Sequence, residues 1–516
     1  MRKIIITILL LSSLPLFAQQ KEQRREFRAA WIATAKMIDY PSKKGLTSEE
    51  LKQEFIDIIE MHKANGINAI IFQVRPAADA FFKSNYEPWS EWLTGKQGQA
   101  PEPYFDPLEF MIAETHKRDM QFHAWLNPFR AVATIDRADI TKNHITRTKP
   151  EWFFTYDINK YFDPGIPEVR EYITEIVADI VKRYDVDGIH FDDYFYPYPK
   201  KDINNKFIDI PDNKTFNKYG TGYNNIQDWR RNNMDLFIEL VSKRIKVEKS
   251  WVIFGIGPGG IWRNKGLDPK GSNTRGFATY DWLYADVLKW LENSWIDYVA
   301  PQIYWNIGHK AADFAELVNW WDQNSYGKHV YIGIGVYKID NTKQDPNWGK
   351  PSEVPNQIKL ARKYENVKGF VLYQTKALVQ NPLGICDSLQ LNLFSDTCYL
   401  PLMTYVDSIP PEIPQNIDKY RIKNEFTILW DKEDFMGKNA NDTAIFYNVY
   451  RFKGKEKIDV SNKDKKILTT KKEFFSITRD KNRRFFGEKN FFVVTSVDKF
   501  YNESKPSKPI SIKFKK

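Results

Sequence analysis

Cysteine and histidine are scarce, with 2 and 7 copies in 516 residues. A disulfide-built scaffold is excluded by that count, and no histidine pair stands near the cysteines at zinc-site spacing. Beyond the N-terminus no apolar run approaches the ~18 residues that a membrane helix needs, so no transmembrane segment is expected. Lysine and arginine are plentiful but dispersed. None of their runs resembles a nucleic-acid-binding arm, so no nucleic-acid partner is expected. The formal charge of +10 reads equally as a solubilising surface and as a mild attraction for an acidic polymer. Cys386 and Cys398 have eleven residues between them, which leaves a disulfide and two free thiols equally open.

Aromatic residues make up 15% of the chain and apolar ones 42%, enough to build a sizeable core and to exclude disorder. One core seldom organises more than roughly 300 residues, so two domains are expected. At the N-terminus, Arg2 and Lys3 precede the apolar stretch Ile4 to Phe17, and Ala18 is followed by Gln19. Residues 1–18 are therefore expected to be a secretory signal peptide, which directs the protein to a periplasm or outside the cell.

Eight short apolar, β-branched or aromatic runs alternate with helical patterns. They are Phe27–Ala35, Asn68–Pro76, Met120–Pro128, Gly188–Tyr194, Val252–Pro258, Asp297–Trp305, His329–Tyr337 and Gly369–Thr375. Helices are expected at Ser48–Asn65 and Glu168–Tyr184, where apolar residues recur at core spacing. This alternation predicts an α/β chain with a closed (β/α)8 TIM barrel over 27–400. The surplus length falls in 77–104, 129–165, 195–225 and 259–280, all after strands, where barrels of this kind carry their sites. A proline-rich linker over 401–414 and a small all-β sandwich over 415–516 follow, with Trp430 and Tyr447 expected in the sandwich core.

The fourth run, Asp187-Gly-Ile-His-Phe-Asp-Asp-Tyr194, is the richest in chemistry. Alternation puts His190, Asp192 and Tyr194 on one face, with Asp193 on the other unless the chain has left the strand by then. Carboxylates crowded at a strand end raise each other's pKa and suit acid–base work, so Asp192 and Asp193 are the candidate catalytic pair. Other strand ends add Arg75, Asp79, His123, Trp125, Asn127, Gln302, Tyr304, Trp305, Asn306 and Gln374, with Glu87 in the loop after strand two. Flat aromatic rings cover pyranose faces while amides and guanidinium groups read hydroxyls, so this set suits a sugar. Each residue alone is a weak signal, and His123 or Trp125 reads equally well as barrel filling; their shared rim is the stronger one. Trp89, Trp92 and Trp262 in the loops read either as sugar platforms or as loop packing.

The stretches FRAAWIAT (27–34), INAIIFQVRPAADA (67–80), EPWSEWLTGKQG (87–98), FHAWLNPFR (122–130), YFDPGIPEVREYI (161–173), DGIHFDDYFYP (187–197), GIGPGGIWRN (255–264) and IDYVAPQIYW (296–305) closely resemble the glycosyl-hydrolase-like 10 family. That resemblance brings Arg263 into the candidate substrate-binding set. It implies a barrel, an exported glycosidase and, as in at least one bacterial member, cleavage of peptidoglycan strands already stripped of stem peptides. IPPEIPQNI (409–417), FTILWD (426–431), YNVYR (447–451) and VTSVDKFYNESKPS (494–507) resemble a fibronectin type III module, expected to act as spacer or barrel brace. The fourth run is also distantly similar to the chitinase-type DGxDxDWE pattern. Tyr194 stands where that pattern has its acid Glu.

Carboxylate catalysis needs two groups. Asp193 is the first choice of partner for Asp192, ahead of Glu87 and Asp79. No cofactor or metal is expected, and the expected partner is a polysaccharide or a peptidoglycan glycan strand. Two alternatives are a catalytically inactive glycan-binding protein of the envelope and a metal-dependent deacetylase using His123, His190, Asp192 and Asp193.

Overall fold

In a computed structural model, residues 24–134, 140–396, 398–422, 425–431, 442–478 and 489–513 are described. The expected signal segment lies outside them. Eight parallel strands close into a barrel: β1 Phe27–Ile32, β2 Ala69–Arg75, β3 Gln121–Leu126, β4 Gly188–Phe191, β5 Ile253–Ile256, β6 Tyr298–Val299, β7 His329–Gly335 and β8 Val367–Tyr373. Each strand pairs with its sequence neighbours, and β1 pairs with β8. The fold is thus the α/β barrel that the alternating pattern predicts, with seven strands shorter than their apolar runs and β8 beginning two residues before its run.

Amphipathic helices cover the outside. The helix Ser48–Ala64 starts at a capping box in which Thr47 accepts from the Glu50 N–H and Glu50 reaches back to the Thr47 backbone. Its stripe Leu51, Phe55, Ile58 and Ile59 packs against the outward faces of the strands. Pro167–Arg183 buries Val169, Ile173, Ile176, Val177 and Ile180 in the same way.

The lumen is filled by large side chains placed opposite missing ones. His190, Gly255 and Tyr298 are in register across β4, β5 and β6. A Cβ on Gly255 would lie 2.0 Å from Tyr298 Cζ, so only glycine lets that ring cross the lumen. Between β3 and β4 the long loop folds into its own antiparallel sheet of Arg130–Val132, Phe153–Tyr156 and Asn159–Phe162, which carries Arg130 to the barrel mouth.

The C-terminal residues form two antiparallel sheets. One holds Asp418–Ile422, Glu425–Leu429 and Phe474–Thr478; the other holds Lys466–Thr470, Phe446–Lys453, Lys489–Val497 and Ile510–Lys513. Between them pack Ile428, Trp430, Tyr447, Val449, Phe492 and Val494, with the Trp430 and Tyr447 rings 5.3 Å apart. Phe500 from this region joins Leu400 and Met403 against Phe27 and Tyr331 at the end of the lumen where the strands begin. The 401–414 segment is fastened too: Tyr405 Oη donates to Asp297 O at 2.7 Å, and Asn502 Nδ2 to Asp407 Oδ2 at 2.9 Å. Cys386 and Cys398 are both free thiols.

Candidate active site

Strand alternation sends His190 and Asp192 into the lumen and Ile189 and Phe191 outward among the helix contacts. The ladder ends at Phe191, so Asp193 is released from alternation. A turn in which the Phe195 N–H donates to Asp193 O at 2.9 Å brings it to the same side. Both carboxylates are buried, and both line a cavity of about 310 Å³ with Trp31, Arg130, Tyr194, Tyr198 and Gln302.

Asp192 is held by three donors. Trp125 Nε1 reaches Oδ2 at 3.0 Å, Asn127 Nδ2 reaches Oδ2 at 3.1 Å, and the Tyr194 N–H reaches Oδ1 at 3.2 Å. Burial, followed by the adjacent Asp193 charge, pushes it up to about 7 against the pull of Arg130 and the donors. Asp193 accepts from the Tyr198 hydroxyl, and Gln302 stands with it in the cavity wall. Burial raises its pKa as well, with these polar neighbours opposing. Two adjacent buried carboxylates resist double ionisation, so the pair favours holding one proton near neutral pH.

Below the pair, donor and acceptor roles are fixed by the one group that can only donate. Trp31 Nε1 donates to His190 Nε2 at 3.1 Å, so Nδ1 carries the His190 proton and donates to Tyr298 Oη at 3.0 Å. Tyr298 in turn donates to His123 Nδ1 at 2.9 Å. Burial holds both imidazoles neutral, with His123 lowered to about 4. Neither ring offers a lone pair to a metal, which removes both imidazoles from the donor set of the deacetylase alternative. Among the described residues no group of three or more His, Cys, Asp or Glu side chains is arranged to hold a metal ion.

The remaining candidates divide by position. Tyr194, Gln302 and Tyr304 line the cavity, and Tyr304 stacks on Tyr373 at 5.7 Å with Tyr337 edge-on. Asn127 acts through Asp192, and His123 belongs to the lumen. Arg75 does not face the cavity: it forms a buried two-point ion pair with Glu87 at 2.6 and 2.7 Å and donates to Asn127 O at 2.5 Å. A guanidinium so occupied cannot also read sugar hydroxyls, and Glu87 is removed as a partner carboxylate. Asp79 is buried and lines no part of this cavity either. Arg263 is held by Asp268 and Asp281 at 3.0 and 3.1 Å over the Tyr280 ring, so it braces its loop. Trp305 and Gln374 are half-buried beside the cavity without lining it. Of the loop tryptophans, Trp92 is core, Trp262 stacks on Trp320 at 5.9 Å, and Trp89 is half-buried.

Residues outside the candidate set complete the wall: Trp31, Gln73, Arg130, Tyr198, Tyr337 and Tyr373. Gln73 accepts from the Thr34 and Ala35 N–H groups at 3.0 and 2.9 Å, which fixes the loop after β1. Arg130 lies 4.3 Å over the Tyr194 ring. Its signal in the sequence was the FHAWLNPFR stretch, three residues beyond Asn127.

Residues 26–350 match the family described as glycosyl hydrolase-like 10. The chain is 42% identical over 505 residues to the glycosyl hydrolase YngK of Bacillus subtilis (strain 168), across 95% of this chain and 94% of that one. It is 38% identical over 383 residues to the glycosyl hydrolase DigH of Escherichia coli (strain K12), across 70% and 85% respectively. Among solved structures, the PgaB (BpsB) glycoside hydrolase domain from Bordetella bronchiseptica is similar at 13% identity and a TM-score of 0.46, covering 73% of this chain and 99% of that one. With the family match covering seven of the eight barrel strands and a relative at 42% identity along nearly its whole length, the chain belongs to the glycosyl hydrolase-like 10 family and is a glycoside hydrolase.

Proposed function

We propose that this protein is exported and cleaves a bacterial cell-wall glycan, peptidoglycan strands stripped of their stem peptides, with Asp192 and Asp193 as its catalytic carboxylates. The observation that carries the reading is the buried Asp192–Asp193 pair opening into an aromatic-walled cavity. The protonated member of the pair donates to the glycosidic oxygen as the bond breaks, the ionised member stabilises the positive charge growing on the sugar ring, and water then adds to the anomeric carbon, giving its proton to the carboxylate that acted as the acid. Trp31, Trp125 and the stacked Tyr304 and Tyr373 line this cavity and supply the aromatic wall against which a pyranose ring would pack. The strand substrate follows from the family resemblance. Export follows from residues 1–18, and the two C-terminal sheets fit a fibronectin type III-like brace that closes the barrel floor.

The test is product analysis by mass spectrometry after incubation with peptide-free peptidoglycan strands, chitin oligomers and plain β-glucans. Muro-oligosaccharides released from the first substrate are the expected result. Release from β-glucan alone would refute the substrate class. For export, the mature protein recovered outside the cytoplasm is expected to begin at Gln19; an intact Met1 in that fraction would contradict it.

A further inference from the structure

The wall of the catalytic cavity does not end at Tyr198. That ring stacks on Phe277 at 4.8 Å, Phe277 faces Trp282 at 6.3 Å, and Trp282 meets Phe207 at 5.0 Å. Phe277, Trp282 and Phe207 all line a second, open cavity of about 860 Å³. An aromatic path therefore runs from the Asp193 carboxylate to a surface groove. Its outer members are left in water: Phe207 is 52% exposed and Trp282 37%. Neighbouring exposed rings in a groove that adjoins the active site give a ligand an apolar surface to pack on.

The charged lining has one sign. Lys265 and Arg275 border the groove, and no acidic side chain does among the described residues. The loop that presents them is rigidly knitted: Lys265 N–H donates to Ser272 O at 2.8 Å, and Asn264 Oδ1 accepts from the Gly276 N–H and the Thr274 hydroxyl, both at 3.0 Å. A surface ordered before binding loses less entropy when a ligand arrives.

We infer that this groove is an outer subsite for the same glycan strand, in which Trp282 and Phe207 stack on a sugar ring while Lys265 and Arg275 hold a carboxylate carried by it. The inference rests on the reading of the Asp192 cavity as the cleavage site for a cell-wall strand. It adds a reason for the stripped substrate. While a stem peptide is attached, the lactyl group of each muramyl sugar is tied up in an amide; once an amidase-class reaction has removed the peptide, that group is a free carboxylate. Two cations in the outer subsite then favour strands on which that reaction has already acted.

The experiment measures binding by titration calorimetry, with the full chain carrying Asp192→Asn so that no strand is cut. Peptide-free peptidoglycan strands are compared with chitin oligomers of matched length, which are neutral. The anionic strands are expected to bind more tightly and with the steeper salt dependence. Adding Trp282→Ala is expected to weaken strand binding about tenfold, and Arg275→Ala to remove most of the preference over chitin. Phe207→Ala, at a more exposed ring, gives the same test should Trp282→Ala fold poorly. Unchanged affinity in these variants, or equal affinity and salt dependence for the two glycans, would overturn the subsite. Because binding is read without turnover, loss of the subsite is distinguishable from failure of the cleavage reading, which the wild-type product analysis decides.

Discussion

Asp192→Asn is expected to make the protein more stable at pH 8 than the wild type while disabling it. Asp192 ionises at about 7 in the fold against 3.8 for the unperturbed group, because burial and Asp193 oppose its charge. A raised folded-state pKa gives stability that is fully present below the unfolded value and is lost as pH rises through the folded one. The wild type therefore loses stability between about pH 4 and pH 7 at this position, about 4 kcal/mol in all at about 1.36 kcal/mol per unit. Asparagine is neutral throughout and keeps most of the contacts to Trp125 and Asn127. The gap between variant and wild type should open by about 1.5 kcal/mol at pH 5 and about 4 kcal/mol at pH 8. Unfolding entropy of about 2.1 cal/mol/K per residue makes 1 kcal/mol worth about 1 °C in a chain of 516 residues. Calorimetric scans of both proteins should show the variant gaining about 2–3 °C on the wild type between pH 5 and pH 8. Asp193 adds to the gain, since it loses a like-charged neighbour. A gap that stays flat with pH, or that closes toward pH 8, would refute the reasoning.

Tyr198→Phe removes the hydroxyl that lowers the Asp193 pKa. The acid-side limb of kcat/KM is expected to move to higher pH and kcat to fall about tenfold, and an unmoved limb would exclude Tyr198 as the group that poises Asp193. Gly255→Ala puts a methyl 2.0 Å from the Tyr298 ring, so urea unfolding should show a loss of about 3 kcal/mol or more. Wild-type stability would mean that the ring has room to move. Phe500→Ala opens a hole in the barrel floor and should cost about 3 kcal/mol in the same assay. A loss confined to the C-terminal sheets, with the barrel melting unchanged, would show that they merely hang from it.

The barrel was legible because its signal is repeated: eight buried strands and the helices between them each had to satisfy their own period. Asp192 was legible for a related reason, since alternation from Gly188 and His190 fixes its face. Asp193 was half-legible, because its direction depends on whether the ladder ends at Phe191 or two residues later. The misplaced residues share a cause. A rim position tells that Arg75 is near the mouth but not that Glu87, twelve residues on, occupies its guanidinium. Trp31, Tyr337 and Tyr373 lie on β1 and at the ends of β7 and β8 with nothing in the chain to single them out, and only closure of the barrel sets them opposite β4. Arg130 needed the small sheet after β3 to reach the site, a local fold that no periodicity announces.

The most direct measurement is the turnover of peptide-free strands by Asp192→Asn and Asp193→Asn, each with strand binding measured alongside. Loss of acid–base catalysis should lower kcat by about 10²–10⁴ in both while the dissociation constant for the strand changes little. If either variant cleaves the strand within a few-fold of the wild type, that carboxylate is not part of the catalytic pair and the account of this site is wrong.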